Sequence, residues 1–200
     1  AGTTSQTQQP LLNFVLIAIS CILVWVTFLR DGQSSEKLFP TRPLSLFNAV
    51  GLAYWVYFLI SALHSALLMF VPLFLQDMHG ISPLYVGYLS LVFSVGWTIG
   101  SLSVSGVSGF SERLATVCGM VAATIFILVF LWAVIIGSLF WLTVSITLVG
   151  ISVGTTNVLM ISFGMSVAKD GEESITASSM QTIRSLGVAY GAAAAGLIAN

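Results

Sequence analysis

Residues 114–168 read LATVCGMVAATIFILVFLWAVIIGSLFWLTVSITLVGISVGTTNVLMISFGMSVA, and no Asp, Glu, Lys or Arg occurs anywhere among them. A helix needs about 20 apolar residues to cross a bilayer. The turn pair Gly137-Ser138 divides this stretch into two such lengths, 114–136 and 140–165. A water-facing helix needs a polar outer face, and neither length has one. Lipid asks only for apolar side chains and an internally satisfied backbone, which a helix provides.

The rest of the chain repeats the pattern. Only 6% of the 200 residues are charged and 57% are hydrophobic, against about 25% charged in a typical soluble domain. Apolar runs at 11–29, 45–75, 84–105 and 175–199 bring the expected spans to six. Every charge but Arg184 falls between them. The gaps contain turn formers such as Asp31-Gly32, Pro40, Pro43, Gly80, Pro83, Gly106, Gly109 and Asp170-Gly171. The second run is long enough to tilt or protrude, and Pro72 is expected to loosen its last turns. The predicted fold class is an all-α integral membrane protein.

A net charge of −1 leaves no basic footprint for nucleic acid. Cys21 and Cys118 have no metal-ligand spacing and read as small apolar residues. The chain begins at Ala1 without a basic n-region and stops as an apolar run finishes, so it reads as a fragment of a longer membrane protein. Orientation follows from basic residues in short loops. Arg30, Lys37, Arg42, Arg113 and Lys169 fall in gaps one, three and five, and the other two gaps contain no Lys or Arg. Loops 30–44, 106–113 and 166–174 are therefore expected in the cytoplasm of a multi-pass cell-membrane protein.

Polar residues inside a bilayer are costly and turn toward a cavity or a neighbouring helix. The second span carries Tyr54, Tyr57, Ser61 and His64 on one face by helical spacing; the third carries Ser90, Ser94, Trp97, Ser101 and Ser105. The fifth carries Thr143, Thr147, Gly150, Gly154, Asn157, Ile161 and Gly164, and the sixth carries Gln181, Arg184, Val188, Gly191 and Ala195. Small residues in such stripes mark close helix packing. Asn157, His64 and Arg184 point equally to a cavity, because their polar groups need partners. Arg184 either snorkels to the cytoplasmic interface or lines the inner end of a cavity and pairs with a carboxylate or a substrate anion. His64 either titrates as a proton carrier or bonds a hydroxyl. The sixth helix is expected to begin near Ser174 or Thr176, either of which could cap it. The fourth span is apolar on nearly every face and is expected to be peripheral.

Two serine motifs are tested as catalytic. Gly150-Ile151-Ser152-Val153-Gly154 matches the nucleophile-elbow pattern but lies inside an apolar helix, where the required strand-to-helix turn cannot form. Gly106-Val107-Ser108-Gly109 matches the short serine motif of rhomboid-type intramembrane proteases, but both His64 and His79 precede it where that family places its histidine later. No HExxH, phosphate loop or intramembrane carboxylate pair is present. The expectation is no enzyme, no catalytic residue and no metal, with an intramembrane serine protease as the remote alternative.

Several short stretches occur in a telling order. Pro43-Leu44-Ser45-Leu46-Phe47 precedes the second span. Val71-Pro72-Leu73-Phe74-Leu75-Gln76 is followed by Gly80-Ile81-Ser82-Pro83 and Gly87. Ala177-Ser178-Ser179, Arg184-Ser185-Leu186-Gly187 and Tyr190-Gly191 lie in the sixth. Over almost the whole chain this resembles the second half of a major facilitator superfamily transporter of the fourteen-helix drug:proton antiporter branch. Glu112-Arg113 resembles the acidic-basic pair of that family's cytoplasmic loop motif, without its trailing basic residues.

The resemblance implies an incomplete C-terminal six-helix bundle plus one linker helix. Residues 1–44 would hold a polar segment, the linker helix and a cytoplasmic loop, and residues 45–200 five of the six bundle helices. It implies a proton-coupled exporter of small organic or amphipathic compounds working by alternating access, or else a uniporter or metabolite permease of the same fold. Its partners would be the lipid bilayer, the missing N-terminal half and a small-molecule substrate, with the proton gradient in place of a cofactor. The expected cavity-lining residues are Tyr54, Tyr57, Ser61, His64, Trp97, Asn157, Gln181 and Arg184. The coupling carboxylate would lie in the other half.

Overall fold

A computed structural model describes residues 10–34, 37–107 and 109–198. Six helices follow one another: α1 (Pro10–Asp31), α2 (Ala49–His79), α3 (Pro83–Ser103), α4 (Phe110–Ile136), α5 (Leu139–Ser166) and α6 (Glu173–Ile198). Among the described residues there is no strand, and α2 to α5 are each long and apolar enough to cross a membrane. In α6, Gln181, Arg184 and several serines dilute the apolar character. Ser108 and the first nine residues lie outside the described residues.

Local chemistry sets the boundaries. α2 starts at Ala49, later than the apolar run, because Asn48 is extended and its Oδ1 accepts from Gly51 N at 2.5 Å. It does not loosen at Pro72 but runs on to His79, where Gly80 closes it with φ 60. Proline removes one backbone donor from the ladder, and Gln76 Nε2 bonds the Pro72 carbonyl one turn on at 3.2 Å. Ser82 then caps α3 with Pro83 in its first turn. α4 begins at Phe110, so Glu112 and Arg113 occupy its first turn rather than the preceding loop. Neither Ser174 nor Thr176 caps α6. The helix starts at Glu173, and the Glu172 carbonyl accepts from both Thr176 N and Thr176 Oγ1.

α5 is the central helix, in contact with α2, α3, α4 and α6. Glycines let α3 and α5 approach closely. A Cβ at Gly96 or Gly100 would strike the carbonyls of Thr147 or Ile151, and one at Gly150 or Gly154 those of Phe93 or Trp97. The pairing of α2 with α6 follows the same rule, with Gly187 and Gly191 against the carbonyls of Phe58 and Ala62. The small-residue stripes of α5 and α6 are thus packing seams. α4 packs on α5 through Phe130 and Ala133 and exposes Val121, Ile125, Leu128 and Ile135, as expected of a peripheral helix. α1 is joined to α6 by the Ser20–Tyr190 hydroxyl pair at 2.8 Å, and an apolar cavity separates it from α2 and α6.

Hydrogen bonds between distant gaps agree with the alternation of sides. The Glu172 carboxylate in gap five accepts from Thr41 N at 2.9 Å and Thr41 Oγ1 at 2.5 Å in gap one. At the opposite end, His79 Nε2 lies 2.7 Å from the Val134 carbonyl, and Tyr85 OH donates to the Leu139 carbonyl at 3.0 Å. Gaps one and five therefore share one side, and gaps two and four share the other.

Candidate functional site

A narrow cleft opens where α2, α3, α5 and α6 meet. It is lined by Tyr57, Ser61 and His64 of α2, Trp97 of α3, Asn157 of α5 and Arg184 of α6. Six of the eight cavity-lining residues expected from sequence converge there.

Tyr57 is 2% exposed and donates from its hydroxyl to Asn157 Oδ1 at 2.5 Å, which ties α2 to α5 across the cleft. Ser61 turns its hydroxyl back to the Tyr57 carbonyl at 2.7 Å, one turn earlier on the same helix. His64 does not bond a hydroxyl. Its ring centroid lies 5.1 Å from Phe93 and 5.7 Å from Trp97, so it is held by aromatic contact. The guanidinium carbon of Arg184 stands 5.0 Å from the centroid of the Trp97 ring, within range of a cation–π interaction. Arg184 therefore stays inside the bundle instead of snorkelling out along α6. Among the described residues no acidic side chain lines the cleft.

Two expected residues lie elsewhere. Tyr54, one turn before Tyr57, is buried between α2 and α6. Its hydroxyl is 2.7 Å from Ser179 Oγ and donates to the Thr176 carbonyl at 3.3 Å, so it joins those two helices. Gln181 is exposed and does not line the cleft. Of the Glu112-Arg113 pair, Arg113 is exposed, while one Glu112 carboxyl oxygen is buried without a hydrogen-bond partner among the described residues. Sequence analysis missed Thr156, Val153 and Ile60, which also line the cleft. Thr156 Oγ1 is buried without a partner, facing Gly119 of α4. The polar run Thr155-Thr156-Asn157 inside an apolar span is the signal that could have pointed to it.

The cleft offers aromatic walls, one cation and a few hydrogen-bonding groups. Its Ser61 hydroxyl bonds the Tyr57 carbonyl and not His64, so among the described residues no nucleophile is paired with a base there. Ser152, centre of the apparent elbow motif, is buried in mid-α5. Among the described residues no group of three His, Cys, Asp or Glu side chains could hold a metal ion.

On the cytoplasm-expected side, the Glu172 carboxyl is the charged group with a defined electrostatic environment. The two hydrogen bonds from Thr41 hold its pKa below the ordinary value of 4.5, assisted by Lys169 and Lys37.

A bundle of long apolar helices meeting around a small polar and aromatic cleft marks a multi-pass membrane protein. The chain belongs to the Major Facilitator Superfamily, whose family model matches residues 8–192. It is also similar to two proteins of Mycobacterium tuberculosis, each described as a probable multidrug-efflux transporter, from strains CDC 1551 / Oshkosh and ATCC 25618 / H37Rv. Each is 27% identical over 198 residues, covering 92% of this chain and 40% of the relative. The chain thus spans well under half the length of these curated relatives. No solved structure matches it.

Proposed function

We propose that this chain is the C-terminal part of a proton-coupled exporter of small organic or amphipathic compounds, working by alternating access. Residues 1–44 would supply a linker helix and cytoplasmic loop, and residues 45–200 five helices of the C-terminal bundle. The N-terminal half of the transporter would close the cavity from the other side and supply the coupling carboxylate. The odd-numbered gaps would face the cytoplasm of a cell-membrane protein.

The observation that carries this reading is the convergence of Tyr57, His64, Trp97, Asn157 and Arg184, from four different helices, on one cleft. Secondary transporters place their substrate where helices of the two repeats meet near the bilayer midplane. The relatives' description as multidrug-efflux transporters supports export and a broad substrate range. Tyr57 and Trp97 would contact the apolar body of a substrate, and Asn157 and Arg184 its polar groups.

The test is transport by the full-length protein in proteoliposomes, with a pH gradient imposed or collapsed, across a panel of dyes and drugs. Gradient-dependent movement of at least one compound is expected. Equal movement with and without the gradient would favour the second reading, a uniporter or metabolite permease, for which the absence of acidic residues from the cleft speaks. No movement of any compound would refute both.

A further inference from the structure

Arg184 is eleven positions beyond Glu173, the first residue of α6. At 1.5 Å per residue that sets it roughly 16 Å along the helix axis, well past an interfacial turn. A cation at such depth is costly without a partner, and the side chain is held in the cleft by Trp97 rather than by an acid. The acidic residues of the four cleft helices, Asp77 and Glu173, lie at helix ends.

The formal charge in the cleft is one-sided: Arg184 lines it and, among the described residues, no acidic side chain does. Asn157 Oδ1 is taken by the Tyr57 hydroxyl, which leaves the amide N–H groups as donors. The Tyr57 carbonyl is taken by Ser61. Beside the His64 ring, donors are available on Asn157 and on the Arg184 guanidinium, whose planar fork matches a carboxylate. Around them stand the apolar surfaces of Tyr57, Ile60, Trp97, Val153 and Val188. One positive charge with amide donors beside it, inside an apolar wall, complements a molecule with a negative charge on an apolar body.

We propose that this cleft is an anion subsite, taking organic acids with an aromatic or aliphatic body, the acid group on Arg184 and Asn157 and the body against Trp97. The inference rests on the transporter reading and narrows its substrates from amphipathic compounds in general to organic anions.

The test uses the full-length protein and a matched pair of probes, 2-naphthoate and 2-naphthamide, with binding measured by titration calorimetry. The wild type is expected to prefer the naphthoate by at least about tenfold, the scale of one charge-assisted hydrogen bond. Arg184→Gln should bring the ratio to about one. Arg184→Lys, which keeps the charge and loses the fork, should keep a reduced preference and serves if the glutamine variant fails to fold. A wild-type ratio near one would overturn the inference, as it would if a carboxylate elsewhere in the full-length chain already neutralised Arg184. So would a preference that survives in Arg184→Gln, or one that Arg184→Lys leaves at the wild-type value. Transport of neutral compounds without any anion preference would remove the subsite and leave the transporter standing. An anion preference without proton-driven transport would do the reverse.

Discussion

Substituting Gly96 by alanine should disrupt the bundle at its centre. A Cβ there would sit 2.6 Å from the Thr147 carbonyl oxygen, whereas ordinary contact begins at 3.4 Å, so α3 and α5 must separate locally by about 0.8 Å. The obstacle is backbone on a buried central helix, which cannot rotate away as a side chain would. Two hydrogen bonds bridge the same seam, Ser101 Oγ to the Gly154 carbonyl at 3.3 Å and Thr155 Oγ1 to the Gly100 carbonyl at 3.2 Å. A shift of that size carries both past a useful length. Overpacking costs about 1–3 kcal/mol and each interhelical bond about 0.6 kcal/mol in a membrane, for a total of about 2–4 kcal/mol. Gly87 is the control: it lies on the same helix, with nothing within 4 Å of its would-be Cβ. Alanine there should change stability by no more than about 1 kcal/mol. Denaturant unfolding of the full-length protein in mixed micelles measures both. Equal stability of the two variants would refute the packing account of the glycine stripes.

Tyr57→Phe should remove the bridge to Asn157, costing about 0.6 kcal/mol and at most about 1.7 kcal/mol, and should alter substrate affinity in a transport assay. Tyr54→Phe should lower stability on a similar scale and leave affinity unchanged, because its hydroxyl serves only the α2–α6 contact. The folded pKa of Glu172 is depressed below 4.5, so the contribution of its clasp on Thr41 is complete above that pH and is lost as the pH falls through the lowered value. Hydrogen exchange in residues 37–45 should therefore speed up under acid in the wild type. In Glu172→Gln it should be fast already at neutral pH and show no acid step. For sidedness, single cysteines replacing Lys169 and Ser82, in a background with Cys21 and Cys118 changed to serine, should react with an impermeant maleimide from opposite faces of oriented vesicles. Labelling from the same face would overturn the alternation of sides.

Much of the fold was legible because lipid imposes a simple rule on composition. A charge inside the hydrocarbon is so unfavourable that the positions of the loop charges mark the gaps, and Gly80, Pro83 and Gly137 mark where helices start and stop. The peripheral place of α4 was legible for the same reason: its interior is apolar on nearly every side. Helix ends were read less well. Pro72 lies inside α2, which continues through it to His79, and the start of α6 depends on the Glu172 carbonyl rather than on a side-chain cap.

The candidate site divides along another line. By itself the sequence determined which residues could matter, because a polar or charged side chain in an apolar helix stands out whatever its neighbours are. Only the tertiary structure decided which of them meet. Residues three apart on a helix differ by about 60° around its axis, so spacing alone assigns Tyr54 and Tyr57, or Gln181 and Arg184, to a common face. Where α2 crosses α6, that difference sends Tyr54 to Ser179 and Tyr57 to Asn157. It also leaves Gln181 exposed while Arg184 stacks on Trp97. The glycines show the same limit. A small residue serves a seam or a cavity equally well until a second backbone arrives, and in α5 and α6 it is the neighbouring carbonyls that settle the matter.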